Sequence, residues 1–254
     1  MIPEKAWRRA KIHAVGEYPN EACGLFIRVG DSTVYFDCRN ISSSPGEEFI
    51  IDPEDLKAAE ESGEILAVFH SHPDGPARLS PADEARMEYM ELPWAVVAVE
   101  RGTDGHPSVT GTAWQTPAGV VYPLVGRPFI HGVLDCYTII RDYYARVLDI
   151  KIPDFIREDK WWDRGDNLYM KHYEDAGFTK IPLSELREHD VILMQIRSSE
   201  PNHGGVYIGN DTILHHMYNR LSTREIYGGY YADHFICALR HKDVRENHPC
   251  KAIQ

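Results

Sequence analysis

From Thr116 to Pro128 the chain reads TPAGVVYPLVGRP, and this cluster of proline and glycine, the strongest local breakers of regular structure, marks a domain boundary. It divides the sequence into residues 1–118 and 129–254, with 119–128 as a linker. Each part has the length of a domain that buries its own core. Composition agrees with folding, since 43% of residues are hydrophobic and 26% charged, with no low-complexity run. The 27 basic and 39 acidic residues leave a net charge of -12, which repels phosphate backbones and argues against a nucleic-acid partner. The N-terminal segment MIPEKAWRRAKIHAV is broken by charge every few positions and reads as an amphipathic helix, neither a signal peptide nor a membrane span. The expectation is a protein made in soluble form in the cytoplasm, needing a vehicle for any export. Five cysteines, Cys23, Cys38, Cys136, Cys237 and Cys250, are odd in number and lack CxxC spacing, so neither a disulfide framework nor a cysteine zinc knuckle is indicated.

The first part alternates element types. A helix is expected near 3–17, strands near 23–29 and 32–38, a helix from Pro53 to Glu61 and an apolar strand-like run from Ile65 to Phe69. A helix opening at Pro81 and a strand from Trp94 to Val99 complete an α/β or α+β pattern. In the second part a helix begins near Asp135 and another covers about 167–176, after which strands gather at Val191–Ile196, His203–Ile208, Thr212–His216 and Phe235–Arg240. Helices followed by antiparallel strands describe an α+β domain.

The run ILAVF leads into FHSHPDGPARLSPAD. On a strand, side chains alternate with period two, so His70 and His72 project to one face and can share a metal ion. Two imidazoles with a carboxylate suit a catalytic zinc site, and Asp83 is the nearest candidate. Ser80, Pro81 and Asp83 also have the form of a helix start, with Ser80 as N-cap. The plainer account is therefore a helix cap beside two hydrogen-bonding histidines. The whole pattern, His70-Ser71-His72-Pro73, six residues, Ser80, two residues, Asp83, resembles the HxHP…SxxD signature of the JAMM (MPN-type) metalloprotease family, and Glu21, Gly24 and Leu25 match its upstream glutamate motif. That resemblance covers residues 1–115. It implies a cytidine-deaminase-like mixed sheet with flanking helices, with His70, His72 and Asp83 as Zn2+ ligands. It further implies Glu21 as general acid/base and Ser80 as the donor that stabilises the oxyanion.

The segment DCYTIIRDYYARVL puts Cys136 at a helix N-terminus, where backbone N–H groups and the helix dipole are expected to lower a thiol pKa. A structural cysteine is the plainer reading, and a nucleophile needs a base. His203 opens the strand HGGVYIG, and a hairpin through Gly209, Asn210 and Asp211 returns along TILHH. A register centred on Gly209 sets residue 203 opposite 215, whereas a shifted turn brings His216 there instead. These motifs resemble the NlpC/P60 family of papain-like cysteine peptidases over residues 125–245. The resemblance implies an α+β domain with an antiparallel sheet, Cys136 as nucleophile and His203 as base. The family's third polar residue, twelve positions after the base, selects His215. Tyr137 and Thr138 depart from the small Ser-Gly pair of the family. The upstream oxyanion tyrosine is not evident either, with Phe129 or His131 near its place. His172, His189, His234 and His241 read as surface or capping residues, and Trp161 and Trp162 as packing residues rather than a glycan platform.

A JAMM domain followed by an NlpC/P60 domain resembles the tail-tip assembly proteins of lambda-like tailed phages. The resemblance implies a two-site peptidase: a zinc-dependent endopeptidase or isopeptidase, and an endopeptidase for peptidoglycan stem peptides, typically at the D-glutamyl to diaminopimelate link. Implied partners are other tail-tip proteins, one with a ubiquitin-like fold being a candidate substrate. The implied location is the host cytoplasm during assembly and then the virion tail tip, acting at the cell wall or periplasm. The alternative is a structural docking protein at the tail tip in which one or both sites are inactive.

Overall fold

The computed structural model describes residues 2–246 and His248, and the chain divides into two units, Met1–Val121 and Tyr122–Gln254. The first contains α1 (Glu4–Glu17), β1 (Cys23–Val29), β2 (Ser32–Cys38), α2 (Pro53–Ser62), β3 (Glu64–Pro73), α3 (Pro81–Met90), β4 (Trp94–Arg101) and β5 (Pro107–Gln115). Its sheet runs β2-β1-β3-β4-β5, with β3 and β4 parallel and the other pairs antiparallel. Strand alternation supplies both faces. Phe26, Ala67, Phe69, Ala95 and Val97 pack on the small side chains Ala6, Ala10 and Ala14 of α1. Leu25, Ile27, Val68 and Val96 share the opposite core with Ala59 of α2 and Met87 of α3. The edge strand β5 escapes the sequence reading because PSVTGTAWQ alternates half-buried with exposed positions and carries little apolar signal.

The second unit contains α4 (Cys136–Val147), a 3-10 turn at Trp161–Arg164, α5 (Leu168–His172), β6 (Phe178–Ile181) and a second 3-10 turn at Leu183–Glu185. There follow β7 (Val191–Met194), β8 (His203–Tyr207), β9 (Thr212–His215), β10 (Thr223–Ile226), α6 (Tyr230–Asp233) and β11 (Phe235–His241). The sheet is antiparallel throughout, in the order β10-β9-β8-β7-β11-β6. Ile139, Ile140, Tyr143, Tyr144 and Val147 of α4 pack on Val191, Leu193, Val206, Leu214 and Leu239. No helix among the described residues is long and apolar enough to cross a membrane.

The proline- and glycine-rich run is held at both ends. Glu88 of α3 accepts hydrogen bonds from Ala118 N and Val120 N. Leu124 is buried against α4, and Arg127 N donates to Ser222 Oγ at 3.1 Å. The β8–β9 register corrects the expectation. Gly209, Asn210 and Asp211 all have positive φ and form a three-residue loop closed by Ile208 N to Thr212 O, so Gly205, not His203, pairs with His215. This moves the partner of His215 by two positions, which preserves its face and makes His203 its diagonal neighbour. A Cβ at Gly205 would lie 3.0 Å from that of His215, so the glycine gives the imidazole its room. Two histidines expected at the surface are buried: His189 accepts or donates at Nδ1 with the Tyr143 hydroxyl at 2.7 Å, and His241 packs edge-on to Phe178.

Candidate functional site

In the first unit β3 carries His70 and His72 on the face it shares with Val68, toward α3. Between them Ser71 clamps the chain before β1: Ser71 Oγ accepts from Ala22 N at 2.8 Å and Ser71 N donates to Ala22 O at 3.0 Å. Pairing of 22 with 71 brings Glu21 alongside His72. From the other side, Ser80 and Asp83 form a reciprocal capping box with proline at the first position of α3. Asp83 Oδ2 thereby accepts from Ser80 N and Ser80 Oγ, at 2.8 and 2.7 Å.

These elements converge three donor atoms. His70 Nε2 and His72 Nε2 are 3.0 Å apart, and Asp83 Oδ2 lies 3.4 and 3.5 Å from them respectively. His72 Nδ1 is 3.0 Å from the Pro76 carbonyl, which can only accept, so the ring carries its proton there and turns a bare Nε2 toward the cluster. Phe49 stacks on His70 with ring centroids 4.9 Å apart, and His70 and Asp83 are buried while His72 is half-buried. Two imidazole nitrogens and one carboxylate oxygen, all within 4.8 Å of one another and preset by a carbonyl and a capping serine, fit zinc in a three-ligand arrangement. Burial opposes charge on Asp83, but the neighbouring His70 and His72 and the Ser80 hydroxyl hold its carboxyl well below the usual carboxylate range. Burial pushes Glu21 up to about 8, against the favourable charges of His72 and Arg86.

In the second unit Asp135 is the N-cap of α4 and accepts from the backbone N–H of Tyr137 and Thr138. Arg157 Nε holds its other oxygen at 2.8 Å. Cys136 thus occupies the first helical position. Its Sγ accepts from the Tyr169 hydroxyl at 3.2 Å and from the Gly204 amide, and lies 3.8 Å from the Asn202 carbonyl. The sulfur therefore sits against the backbone on both sides of His203, although no hydrogen bond joins Cys136 to the imidazole among the described residues. The expected lowering of the thiol pKa is overturned: burial, with the Asp135 carboxylate adding to it, pushes Cys136 up to about 11. His203 Nε2 and His215 Nδ1 are 3.0 Å apart, and burial holds both rings below the ordinary histidine value. His216 faces the other way, with Nε2 3.0 Å from Arg220 O.

Two participants were not legible in the sequence. Tyr169 reaches the thiol from 33 residues downstream, on the helix expected near 167–176, whose pattern does not reveal which side chain meets the sulfur. Glu225, on the unforeseen strand β10, has Oε2 3.5 Å from His215 Nε2. Phe129 packs on His216 and His131 bonds to Glu158 O, so neither supplies a donor to the thiol. Trp161 is buried, and Trp162 lies half-buried between His131 and Tyr218.

Residues 3–116 match the family model for prokaryotic homologs of the JAB domain, and residues 126–240 match that of the NlpC/P60 family. Tail tip assembly protein K of Escherichia phage N15 is 34% identical over 241 residues, covering 94% of this chain and 95% of that protein. Tail tip assembly protein K of Escherichia phage lambda is 43% identical over 177 residues, or 70% of this chain and 82% of that protein. A probable TtuB-protein conjugate cleaving protease of Thermus thermophilus is 34% identical over 109 residues, covering 41% of this chain and 70% of that protein.

Proposed function

The chain belongs to the tail tip assembly protein K family, and on that premise we propose that it is a peptidase with two separate hydrolytic sites, one in each unit. JAB and NlpC/P60 domains are both peptidase families. The observation that carries the reading is the convergence of His70, His72 and Asp83 on one point, with Glu21 beside them and Ser80 holding the carboxylate. His70, His72 and Asp83 would hold zinc, which when bound supplies Lewis acidity and brings water into reach of ionisation near neutral pH. Glu21 is the buried carboxyl that takes and returns the proton. Ser80 spends its one hydroxyl proton on Asp83, so it acts on the reaction by fixing that carboxylate and would have to release the proton to stabilise an oxyanion. The substrate class is a peptide or isopeptide bond of a tail protein, a choice supported by the conjugate-cleaving relative.

In the second unit Cys136 attacks an amide carbonyl of a peptidoglycan stem peptide, His203 accepts the thiol proton and delivers it to the leaving amine, and His215 orients His203. A thiol pushed up to about 11 is neutral at rest, so nucleophilicity depends on that base. Asp135 takes the N–H groups of Tyr137 and Thr138, which leaves that of Cys136 for the developing oxyanion. The same resting thiol, bonded to Tyr169 rather than to an imidazole, favours a second reading in which this unit serves only for docking.

Wild type, Glu21→Ala and Cys136→Ala incubated with purified peptidoglycan and with tail proteins, followed by mass spectrometry, separate these readings. Loss of muropeptide cleavage only in Cys136→Ala, and of tail-protein cleavage only in Glu21→Ala, is expected. Wild type that leaves peptidoglycan intact supports docking for the second unit. One zinc per chain is expected by elemental analysis and is lost in His70→Ala; a metal-free wild type sinks the metallopeptidase reading.

A further inference from the structure

The buried imidazole of His215 has one nitrogen without a hydrogen bond. Its Nδ1 is engaged with His203 Nε2, while Nε2 makes none among the described residues and faces Glu225 Oε2 at 3.5 Å. The Tyr231 hydroxyl donates to that same carboxylate oxygen, and the Tyr231 ring stands edge-on to His215 with centroids 4.8 Å apart. The antiparallel pairing of β9 with β10 sets Thr223 opposite His215 and Glu225 opposite Ile213, so the carboxylate approaches His215 on the diagonal.

We propose that Glu225, braced by Tyr231, is a positioning residue that selects the tautomers of His215 and His203 and so leaves His203 Nδ1 unprotonated. Two neutral imidazoles joined by one hydrogen bond share a single proton between them, and two arrangements are open. In one, His203 donates from Nε2 and His215 carries its own proton on Nε2, directed at the Glu225 carboxylate. In the other, His215 donates from Nδ1, and the bare Nε2 lone pair of its buried ring faces the half-buried carboxylate, which is repulsive. Glu225 therefore favours the first. In that arrangement the only proton on His203 is on Nε2, and Nδ1 is free to accept. In the second arrangement His203 must carry its proton on Nδ1 and has no nitrogen left to act as a base. The carboxylate thus acts two rings away from the thiol, without touching substrate. This inference rests on the cysteine-peptidase reading for its catalytic meaning, but its structural content stands alone.

Imidazole 15N shifts of the full chain, read by long-range proton–nitrogen correlation at neutral pH, test it directly. Wild type is expected to show Nε2–H on both His203 and His215. Glu225→Ala is expected to populate the Nδ1–H form of His203 and to slow Cys136 alkylation by iodoacetamide by on the order of tenfold or more. Glu225→Gln, whose amide oxygen still accepts, should keep the wild-type tautomers and most of the alkylation rate. If Glu225→Ala does not fold, Tyr231→Phe, which leaves both rings and the carboxylate in place, should give a partial shift. Unchanged tautomers in a folded Glu225→Ala or Tyr231→Phe variant overturn the proposal even where wild type cleaves peptidoglycan. A tautomer switch supports it even where wild type cleaves none, an outcome that fails the peptidase reading instead.

Discussion

At the scale of single residues, burial outweighs position in the helix for Cys136. A helix N-terminus favours an anion by a fraction of a kcal/mol to about 2 kcal/mol, but the half-buried sulfur stands beside a carboxylate and is pushed up to about 11. The Tyr169 hydroxyl opposes that rise by donating to Sγ. Tyr169→Phe should therefore move the pH midpoint of iodoacetamide labelling of Cys136 upward, because the thiolate loses a donor; an unchanged midpoint in a folded variant counts against a hydrogen bond to sulfur. His72 shows the reverse economy of residues. One ring nitrogen is spent on the Pro76 carbonyl, and that bond determines which nitrogen remains for a metal.

At the scale of elements, both sites depend on how a helix starts. Ser80 caps α3 and at the same time anchors Asp83. Ser80→Ala should cost about 1 kcal/mol of first-unit stability, the usual worth of such a cap, and should also weaken zinc binding; urea unfolding and a competitive zinc titration measure the two effects separately. Asp135 caps α4 and pairs with the buried Arg157. Burial would raise its pKa, yet Arg157 holds its carboxyl well below the usual range. Asp135→Ala removes a cap and one of the two carboxylate partners of Arg157, which keeps Asp154, so a loss of about 2–3 kcal/mol is expected, larger than for Ser80→Ala. A loss below about 1 kcal/mol by denaturant unfolding contradicts the argument.

At the scale of the whole molecule, each unit has its own cores and its own candidate site, and each should respond to its own perturbation. Zinc at about a hundredfold over its dissociation constant stabilises a site that binds only when folded by about 2.7 kcal/mol. Chelation should lower the calorimetric transition of the first unit and leave the second in place. Acid should act on the second. His203, His215 and His216 all have folded pKa values below 6.5, His216 at about 4, so the unfolded chain binds their protons first as pH falls. Their contribution is present in full above about pH 6.5 and is lost as pH falls from there toward the folded values, by up to about 1.4 kcal/mol per pH unit for each group. Hydrogen exchange of β8 and β9 amides between pH 7.5 and 5.5 should show that loss, and no change would exclude neutral buried imidazoles.

What the sequence alone determined here is local. Period-two alternation put His70 and His72 on one face, Ser80-Pro81-Asp83 spelled a helix start, and Asp135-Cys136 opened another, because each rests on neighbours within one element. The α/β or α+β character of the first part and the antiparallel strands of the second also followed from the order of apolar runs, whereas the mixed sheet was implied by the resemblance. Tertiary structure decided what strand pairing and enclosure control. The clamp of Ala22 on Ser71 brings Glu21 beside His70, His72 and Asp83, and a three-residue loop makes His203 and His215 diagonal neighbours. Tyr169 meets the thiol from a helix that was expected without its contact, and Glu225 meets His215 from a strand with a weak pattern of its own. The thiol pKa was decided in the same way, since desolvation is set by everything that surrounds a group and not by the residues beside it in the chain.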